Sequence, residues 1–280
     1  MLIADSAFQS AIRNHQSAIW SFPISEPTTR PFLSVVVPAY NEERRLPQTL
    51  QQITDYLARQ AYTSELIVVD DGSSDRTAEV AESFRVAHPD VVVIRNDHRG
   101  KGYTVRTGML RARGRIVLFS DADLSTPIEE IEHILPWFER GYGIVIGSRE
   151  GAGAKRIQEP FYRHLMGRVF NGIVRLLTVR GINDTQCGFK AFRDDVARDV
   201  FSRMKLYGAD ARRITDAMVT GFDVEVLFIG QKAGVKIKEV PVEWRYGNET
   251  KVNPLKDSWR NFRDVWRVRW NDWRGKYDKP

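Results

Sequence analysis

The stretch Leu33-Ser34-Val35-Val36-Val37-Pro38-Ala39-Tyr40-Asn41-Glu42 passes from a β-branched apolar run to a proline and then to a cluster of polar side chains. A short run rich in valine, with little polar alternation, predicts a strand covered on both faces. The same pattern recurs at Glu65–Asp70, Val91–Arg95, Arg115–Ser120, Gly143–Gly147 and Lys236–Val240. Between these runs lie amphipathic segments of helical length, near 42–59, 75–87, 101–112, 127–139 and 160–178. Such alternation builds βαβ units, hence a mostly parallel sheet with helices on both faces. The helix near 127 carries a start signal: Thr126 as N-cap, Pro127 at the first helical position and Glu129 three residues after the cap. From 181 onward the pattern is less regular.

Composition narrows the class. The chain has 280 residues, of which 28% are charged, and a mean hydropathy of −0.38; this is a globular composition rather than a disordered one. The longest apolar runs, such as Leu66–Val69 and Val91–Ile94, are strand-length and fall far short of the ~18 residues a membrane span needs. Residues 1–30 lack a signal-peptide pattern and contain a small repeat, Gln9-Ser10-Ala11-Ile12 and Gln16-Ser17-Ala18-Ile19; they read as an extension. The single Cys187 rules out an intrachain disulfide framework and fits a reducing cytoplasm. A net charge of +6 points to an anionic partner: nucleotide, phospholipid surface or nucleic acid. His15, His88, His98, His133 and His164 show no metal-ligand spacing, so zinc is not expected. Arg111, Arg113 and Arg115 read as a solvated helix end with no nucleic-acid module beside them.

Ligands of an open α/β sheet bind at the carboxyl ends of its strands. Here those ends carry Tyr40-Asn41-Glu42, Asp70-Asp71-Gly72-Ser73, His98-Arg99-Gly100-Lys101-Gly102 and Asp121-Ala122-Asp123. In an extended segment Asp121 and Asp123 point the same way, and two carboxylates so close repel unless a cation lies between them. A hard divalent ion shared with a diphosphate suits them; a solvated acidic turn that caps the next helix is the alternative. Asp70 and Asp71 are turn formers ahead of Gly72, or partners for a base or ribose. Lys101, between two glycines, can approach a diphosphate, but it lacks the spacing of a P-loop, which excludes an ATPase of that type.

These motifs, with Asp121-Ala122-Asp123-Leu124-Ser125-Thr126-Pro127, Gly147-Ser148-Arg149, Asp184-Thr185-Gln186-Cys187-Gly188-Phe189-Lys190, Phe222-Asp223-Val224-Glu225 and Glu239-Val240-Pro241-Val242, resemble the family 2 glycosyltransferases. Within them the chain is most similar to the dolichyl-phosphate β-glucosyltransferases, from about 33 to 252. The resemblance implies an A-type fold, with a Rossmann-like, mostly parallel sheet. It implies metal-dependent, inverting transfer of a hexose, glucose in preference, from a UDP-sugar to a polyprenyl or dolichyl phosphate. Pro38, Ala39, Tyr40, Glu42, Asp70 or Asp71 and Ala122 would line the donor pocket. Asp121 and Asp123 would hold the diphosphate through Mg²⁺ or Mn²⁺, and Lys101 would lie near it. Arg149 and Arg163 would grip the acceptor phosphate, Asp184, Gln186 and Lys190 would sit near the sugar, and Lys251 would close over the donor. Two departures concern the lid and its surroundings: an insertion over Lys205–Thr220, and Thr250-Lys251 where relatives often carry Ser-Lys.

The expected organisation is an extension (1–30), a catalytic domain (31–252) and a basic, tryptophan-rich tail (253–280). In the tail, Trp259, Phe262, Trp266, Trp270 and Trp273 recur at helical spacing beside Lys256, Arg260, Arg263, Arg267, Arg269 and Arg274. That is the pattern of an interfacial helix or of a helix packed on its own domain. The expected location is cytoplasmic, peripheral on the membrane face. The alternatives are a GDP-mannose-using polyprenyl-phosphate mannosyltransferase and, in another class, a non-catalytic nucleotide or nucleic-acid binding protein.

Overall fold

The valine-rich runs become strands where the sequence places them. The computed structural model describes residues 30–157, 177–214, 221–246 and 254–278, with positions 172 and 174. In chain order these contain β1 (Leu33–Ala39), α1 (Leu46–Ala58), β2 (Ser64–Asp70), α2 (Thr77–Ala87), β3 (Val91–Arg95), α3 (Lys101–Arg111) and β4 (Ile116–Ser120). A 3-10 turn (Ile128–Glu130) and two short helices, α4 (Ile131–Ile134) and α5 (Pro136–Glu139), lead to β5 (Ile144–Ser148) and β6 (Lys155–Ile157). Then come β7 (Phe189–Arg193), α6 (Asp194–Ser202), α7 (Phe222–Lys232), β8 (Ile237–Pro241), β9 (Glu243–Arg245) and α8 (Pro254–Trp273). The extension, except Arg30, and most of the helix expected near 160–178 lie outside the described residues.

Seven strands form one sheet in the order β3-β2-β1-β4-β7-β5-β8, while β6 and β9 pair separately. Strands β1 to β4 are mutually parallel, and β7 runs antiparallel between β4 and β5. Leu33, Val35 and Val37 of β1 bury against α1 and the 128–134 segment, whereas Val36 buries on the opposite face with Val105 and Met109 of α3. Both faces are therefore dry, which is why the strands read as continuous apolar runs. The second face is completed by α6, α7 and Val265 and Val268 of α8. Pro31–Pro280 accordingly form one compact unit that includes the tail helix.

Two local expectations are corrected. Thr126 does not cap a helix: Pro127 is extended (φ −55°, ψ 145°), and the buried Thr126 hydroxyl lies 3.9 Å from the Cys187 sulfur. The helix expected over 127–139 is a 3-10 turn followed by α4 and α5, because Pro136 has no N–H with which to continue the ladder. The antiparallel β7 was not foreseen as a strand; its sequence Phe-Lys-Ala-Phe-Arg carries a lysine into the middle of the sheet.

Gly108 lets α3 approach the sheet closely. A Cβ there would lie 2.3 Å from Cγ1 of Val36 in β1. Gly108→Ala gains about 1 kcal/mol of helix propensity but overpacks by about 1–3 kcal/mol, so a net loss in urea unfolding is expected. Val36→Ala in the same chain should recover part of that loss, because the new methyl then occupies the space the valine leaves.

Candidate active site

The carboxyl ends of β1 and β2 meet in two loops stitched together by side chains. Asn41 N donates to Ser73 Oγ at 2.9 Å, Glu42 N to Thr77 Oγ1 at 2.7 Å, and Ser74 N to Asn41 Oδ1 at 2.9 Å. Asp71 is buried and its carboxylate is committed: it accepts from Arg99 N (3.0 Å), Gly100 N (2.9 Å) and His98 Nδ1 (2.8 Å). It thus holds the loop that leads into α3 and fixes the His98 ring, which stacks on Tyr40 with centroids 3.9 Å apart. Asp70 receives only long contacts from Ser73 N, at 3.3 and 3.4 Å. Of the two adjacent aspartates, Asp71 is the one that builds the loop.

The acidic segment after β4 is a turn and not the extended stretch expected. Leu124 N donates to Asp121 O at 3.1 Å, Ser125 N donates to Asp123 Oδ1 at 3.0 Å, and Leu124 has φ +45°. Asn41 (φ +53°) is the other described non-glycine residue with a left-handed backbone. Such strain tends to collect at functional sites, where the surroundings over-determine it; here both residues follow neighbouring strands, β1 and β4. Gly188, just before β7, donates nothing in side-chain bulk, and its carbonyl accepts from Asp121 N at 3.2 Å. A Cβ at Gly188 would fall 2.0 Å from Asp121 Oδ2, so a larger residue here would push the Asp121 carboxylate out of its place.

Charge is concentrated around Asp121. Lys101 Nζ, at the first position of α3, lies 2.6 Å from Asp121 Oδ1. Behind it Lys190, fully buried, reaches the Cys187 carbonyl and Asp223 Oδ1 (2.6 Å). Burial, with the nearby Asp123 and Asp223 carboxylates, pushes the Asp121 carboxyl above its ordinary range against the pull of Lys101. Burial works against the Lys101 ammonium, yet Asp121, Asp223 and Asp123 together hold it above its usual value. The local balance is thus short of positive charge. Among the described residues no group of three or more metal-ligating side chains gathers. The donor set therefore fits a hard divalent ion that takes carboxylate oxygens from Asp121 and Asp123 and the rest from outside the protein, as a diphosphate would provide.

Arg149 and Asp184, expected in separate roles, form one unit. Asp184 is 0% exposed, and Arg149 donates to it from N (2.9 Å), Nε (2.7 Å) and Nη2 (2.9 Å). Burial alone would raise this carboxyl, but the Arg149 guanidinium, its hydrogen bonds and the Lys190 charge hold it well below the usual carboxylate range. A carboxylate so held is a poor proton acceptor. Arg149 also lies over the Trp244 ring of β9, 5.3 Å from its centroid. Glu239 of β8 secures the other side, accepting from Asp184 N at 2.7 Å and Ser148 Oγ at 2.8 Å. Gln186 N donates to Asp184 Oδ1 at 3.2 Å.

Pro38 and Ala39 lie in β1 beside β2, and the Ala122 carbonyl accepts from Thr49 Oγ1 at 2.6 Å. Arg163 and Lys251 lie outside the described residues. Sequence reading assigned no role to Asp223, His98, Glu239 or Trp244. The first three stand inside motifs quoted above for other reasons; nothing in the sequence pairs Trp244 with Arg149. Cys187 is buried, and burial together with Asp184 pushes its thiol up to about 11, which fits a packing residue and not a nucleophile.

Glycosyl transferase family 2 matches residues 34–201. The dolichyl-phosphate β-glucosyltransferase of Drosophila melanogaster is 36% identical over 251 residues, 84% of this chain and 73% of that protein. The human enzyme of the same name is 34% identical over 256 residues, 85% of this chain and 73% of that protein. Among solved structures, mannosyl-3-phosphoglycerate synthase from Rubrobacter xylanophilus superposes with a TM-score of 0.63 at 20% identity, covering 89% of this chain and 76% of that one. Glucosyl-3-phosphoglycerate synthase from Mycobacterium tuberculosis, in complex with Mn²⁺, UDP-glucose and phosphoglyceric acid, gives 0.58 at 17% identity, covering 86% and 80%. At these identities the structures establish the fold, an A-type glycosyltransferase fold.

The Asp184–Arg149 pair has a measurable signature. Its depressed carboxyl stabilises the fold fully above the ordinary aspartate value of about 4, and that stabilisation is lost as pH falls through the lower, folded value. Asp184→Asn should cost about 3–5 kcal/mol at neutral pH, because it leaves a guanidinium without its counter-ion. Urea unfolding of the variant between pH 7 and 3 should lose less stability than the parent chain does.

Proposed function

The chain belongs to glycosyl transferase family 2, and from that premise we propose that it transfers glucose from UDP-glucose to a dolichyl or related polyprenyl phosphate, inverting the anomeric carbon. The observation that carries this reading is the 34–36% identity to dolichyl-phosphate β-glucosyltransferases over 84–85% of the chain. The acidic turn at the end of β4 supplies the matching chemistry. We place the reaction on the cytoplasmic face of the acceptor's membrane, in keeping with a lone, buried free thiol. No described helix is long and apolar enough to cross a membrane.

In this reading the Tyr40–His98 stack and Asp70 border the nucleoside, with Asp71 holding His98 in place. Asp121 and Asp123 would hold Mg²⁺ or Mn²⁺, which supplies positive charge for the diphosphate when bound. Lys101 stands where charge develops on the departing nucleotide. The acceptor needs little deprotonation, because a phosphate monoester already carries an anionic oxygen near neutral pH. That oxygen forms the new bond to the anomeric carbon as the bond to UDP breaks, and the electron pair leaves with UDP. The residues orient the reactants and balance charge. Arg149, aimed by Asp184 and backed by Trp244, is the described guanidinium we assign to the acceptor phosphate, for which its planar fork is suited. Arg163 and Lys251 keep the roles that the family resemblance implies. The sheet and helices over 31–252 are the catalytic domain, and 1–30 an extension.

Incubation of the protein with polyprenyl phosphate in detergent and labelled UDP-glucose, UDP-galactose or GDP-mannose should place label from UDP-glucose in the organic extract. Dominant label from GDP-mannose would replace the reading with a mannosyltransferase. Asp123→Asn should lower transfer about a hundredfold or more, since one charge-stabilising partner is worth ~3 kcal/mol. The same variant should lose the rise in melting temperature that UDP with Mn²⁺ produces in the parent chain, while melting normally without ligand.

A further inference from the structure

Helix α8 separates into a buried face and an aromatic, basic one. At about 100° per residue, Asn261, Asp264, Val265, Val268 and Asn271 share one side, and all are buried. Asp264 Oδ2 accepts from Tyr207 OH at 2.5 Å and from Gly221 N at 3.2 Å, and Asp272 pairs with Lys232. Gly221 and Lys232 mark the start and the end of α7, so α8 runs parallel to it. The amino-terminal half of α8 therefore lies at the end where α7 presents Asp223 to the active site. On the outward side Phe262, Trp266, Trp270 and Trp273 are 37%, 48%, 51% and 60% exposed. They fall within about 80° of one another, with Arg263, Arg267 and Arg274 in the next stripe and Arg269 on the other flank. Trp273 packs edge-on against Trp266 and Trp270, and Arg269 lies over it.

Three indole rings on a helix whose other side is already buried need a partner, and the surrounding charge says which kind. The acidic side chains of the described part of α8 are spent: Asp264 is buried and bonded, and Asp272 is paired with Lys232 and Arg269. Among the described side chains of α8, the outward surface thus offers tryptophan and arginine with no competing carboxylate. Indoles seek the boundary between headgroup and acyl chain, and flanking arginines seek anionic headgroups. We propose that this face of α8 is the surface by which the protein lies on an anionic phospholipid membrane, with the catalytic end of α7 beside that plane. The inference rests on the reading of a lipid-borne acceptor, since it explains how a chain without a described spanning helix reaches one.

The test uses the full chain and sedimentation with phosphatidylcholine vesicles, with and without phosphatidylglycerol. The parent protein should bind anionic vesicles at low salt and release at high salt. The combined variant Trp266→Ala, Trp270→Ala, Trp273→Ala should bind about tenfold or more weakly, with the UDP-induced melting shift unchanged. Arg263→Ala with Arg267→Ala and Arg274→Ala should reduce the preference for anionic vesicles, each arginine contributing roughly fivefold. Equal binding by the parent and the tryptophan variant overturns the proposal, as does absence of binding by the parent. So does a parent dimer in light scattering that the tryptophan substitutions dissolve, which would make the face a contact between copies. Transfer to a short, water-soluble polyprenyl phosphate should survive the tryptophan substitutions. If neither protein transfers to it while vesicle binding behaves as stated, the catalytic reading fails and the membrane surface stands.

Discussion

The carboxylates around Asp121, answered by two lysines, are the charge arrangement on which the site depends. Asp121, Asp123 and Asp223 come close enough for each to bear on the charge of Asp121, and they come from two separate parts of the chain. Among the described residues Lys101 and the buried Lys190 answer them. Each lysine arrives by a different structural route, one on the first turn of α3 and the other on a strand inserted antiparallel into the sheet. The parallel half of the sheet supplies the acidic turn, and the later half supplies the buffering charge beneath it. The three carboxylates outnumber these two lysines, and β7, by carrying Lys190 beneath the turn, offsets part of that excess of negative charge.

The second organising contact is the Arg149–Asp184 pair. A fully buried carboxylate is tolerated because a guanidinium and backbone N–H groups surround it, and Glu239 holds its main chain from below. Such pairs seldom add net stability over an apolar replacement, but breaking one is costly. What the pair does here is orientation: it aims an arginine from the end of β5 across Trp244, next to the acidic turn, since Arg245 N donates to Ser125 O at 2.7 Å. β9, too short to be convincing as a strand in the sequence, earns its place by carrying that tryptophan.

The segment that departs from the family pattern is tied to the loop before α3. Its described part packs on the loop before α3: Arg99 donates to the Ala209 and Ala211 carbonyls, Ile214 N to His98 O, and Arg213 pairs with Asp97. Its beginning is held by Glu225, which accepts from Lys205 N and Leu206 N as well as from Tyr277 OH. One buried glutamate thus links the inserted segment, α7 and the end of the tail.

By itself the sequence determined the parallel strands, most of their helices and the acidic strand ends, since valine runs and polar residues following them are local signals that tertiary context seldom overrides. It also placed the tail's aromatics on one helical stripe, because periodicity survives without knowledge of a partner. Tertiary structure decided which of two adjacent aspartates was spent on the protein's own backbone: Asp71 faces three donors of the 98–100 loop, and no neighbour in sequence announces that. It turned Asp121–Asp123 into a turn, gave Thr126 to Cys187 instead of a helix start, and joined Arg149 to Asp184, 35 positions away. It buried Val265 and Val268 of the tail and left Trp266, Trp270 and Trp273 outside. Each of these outcomes depends on which distant groups arrive at hydrogen-bonding distance, and side-chain pairing across a sheet is set by the order of strands, which a one-dimensional pattern does not contain.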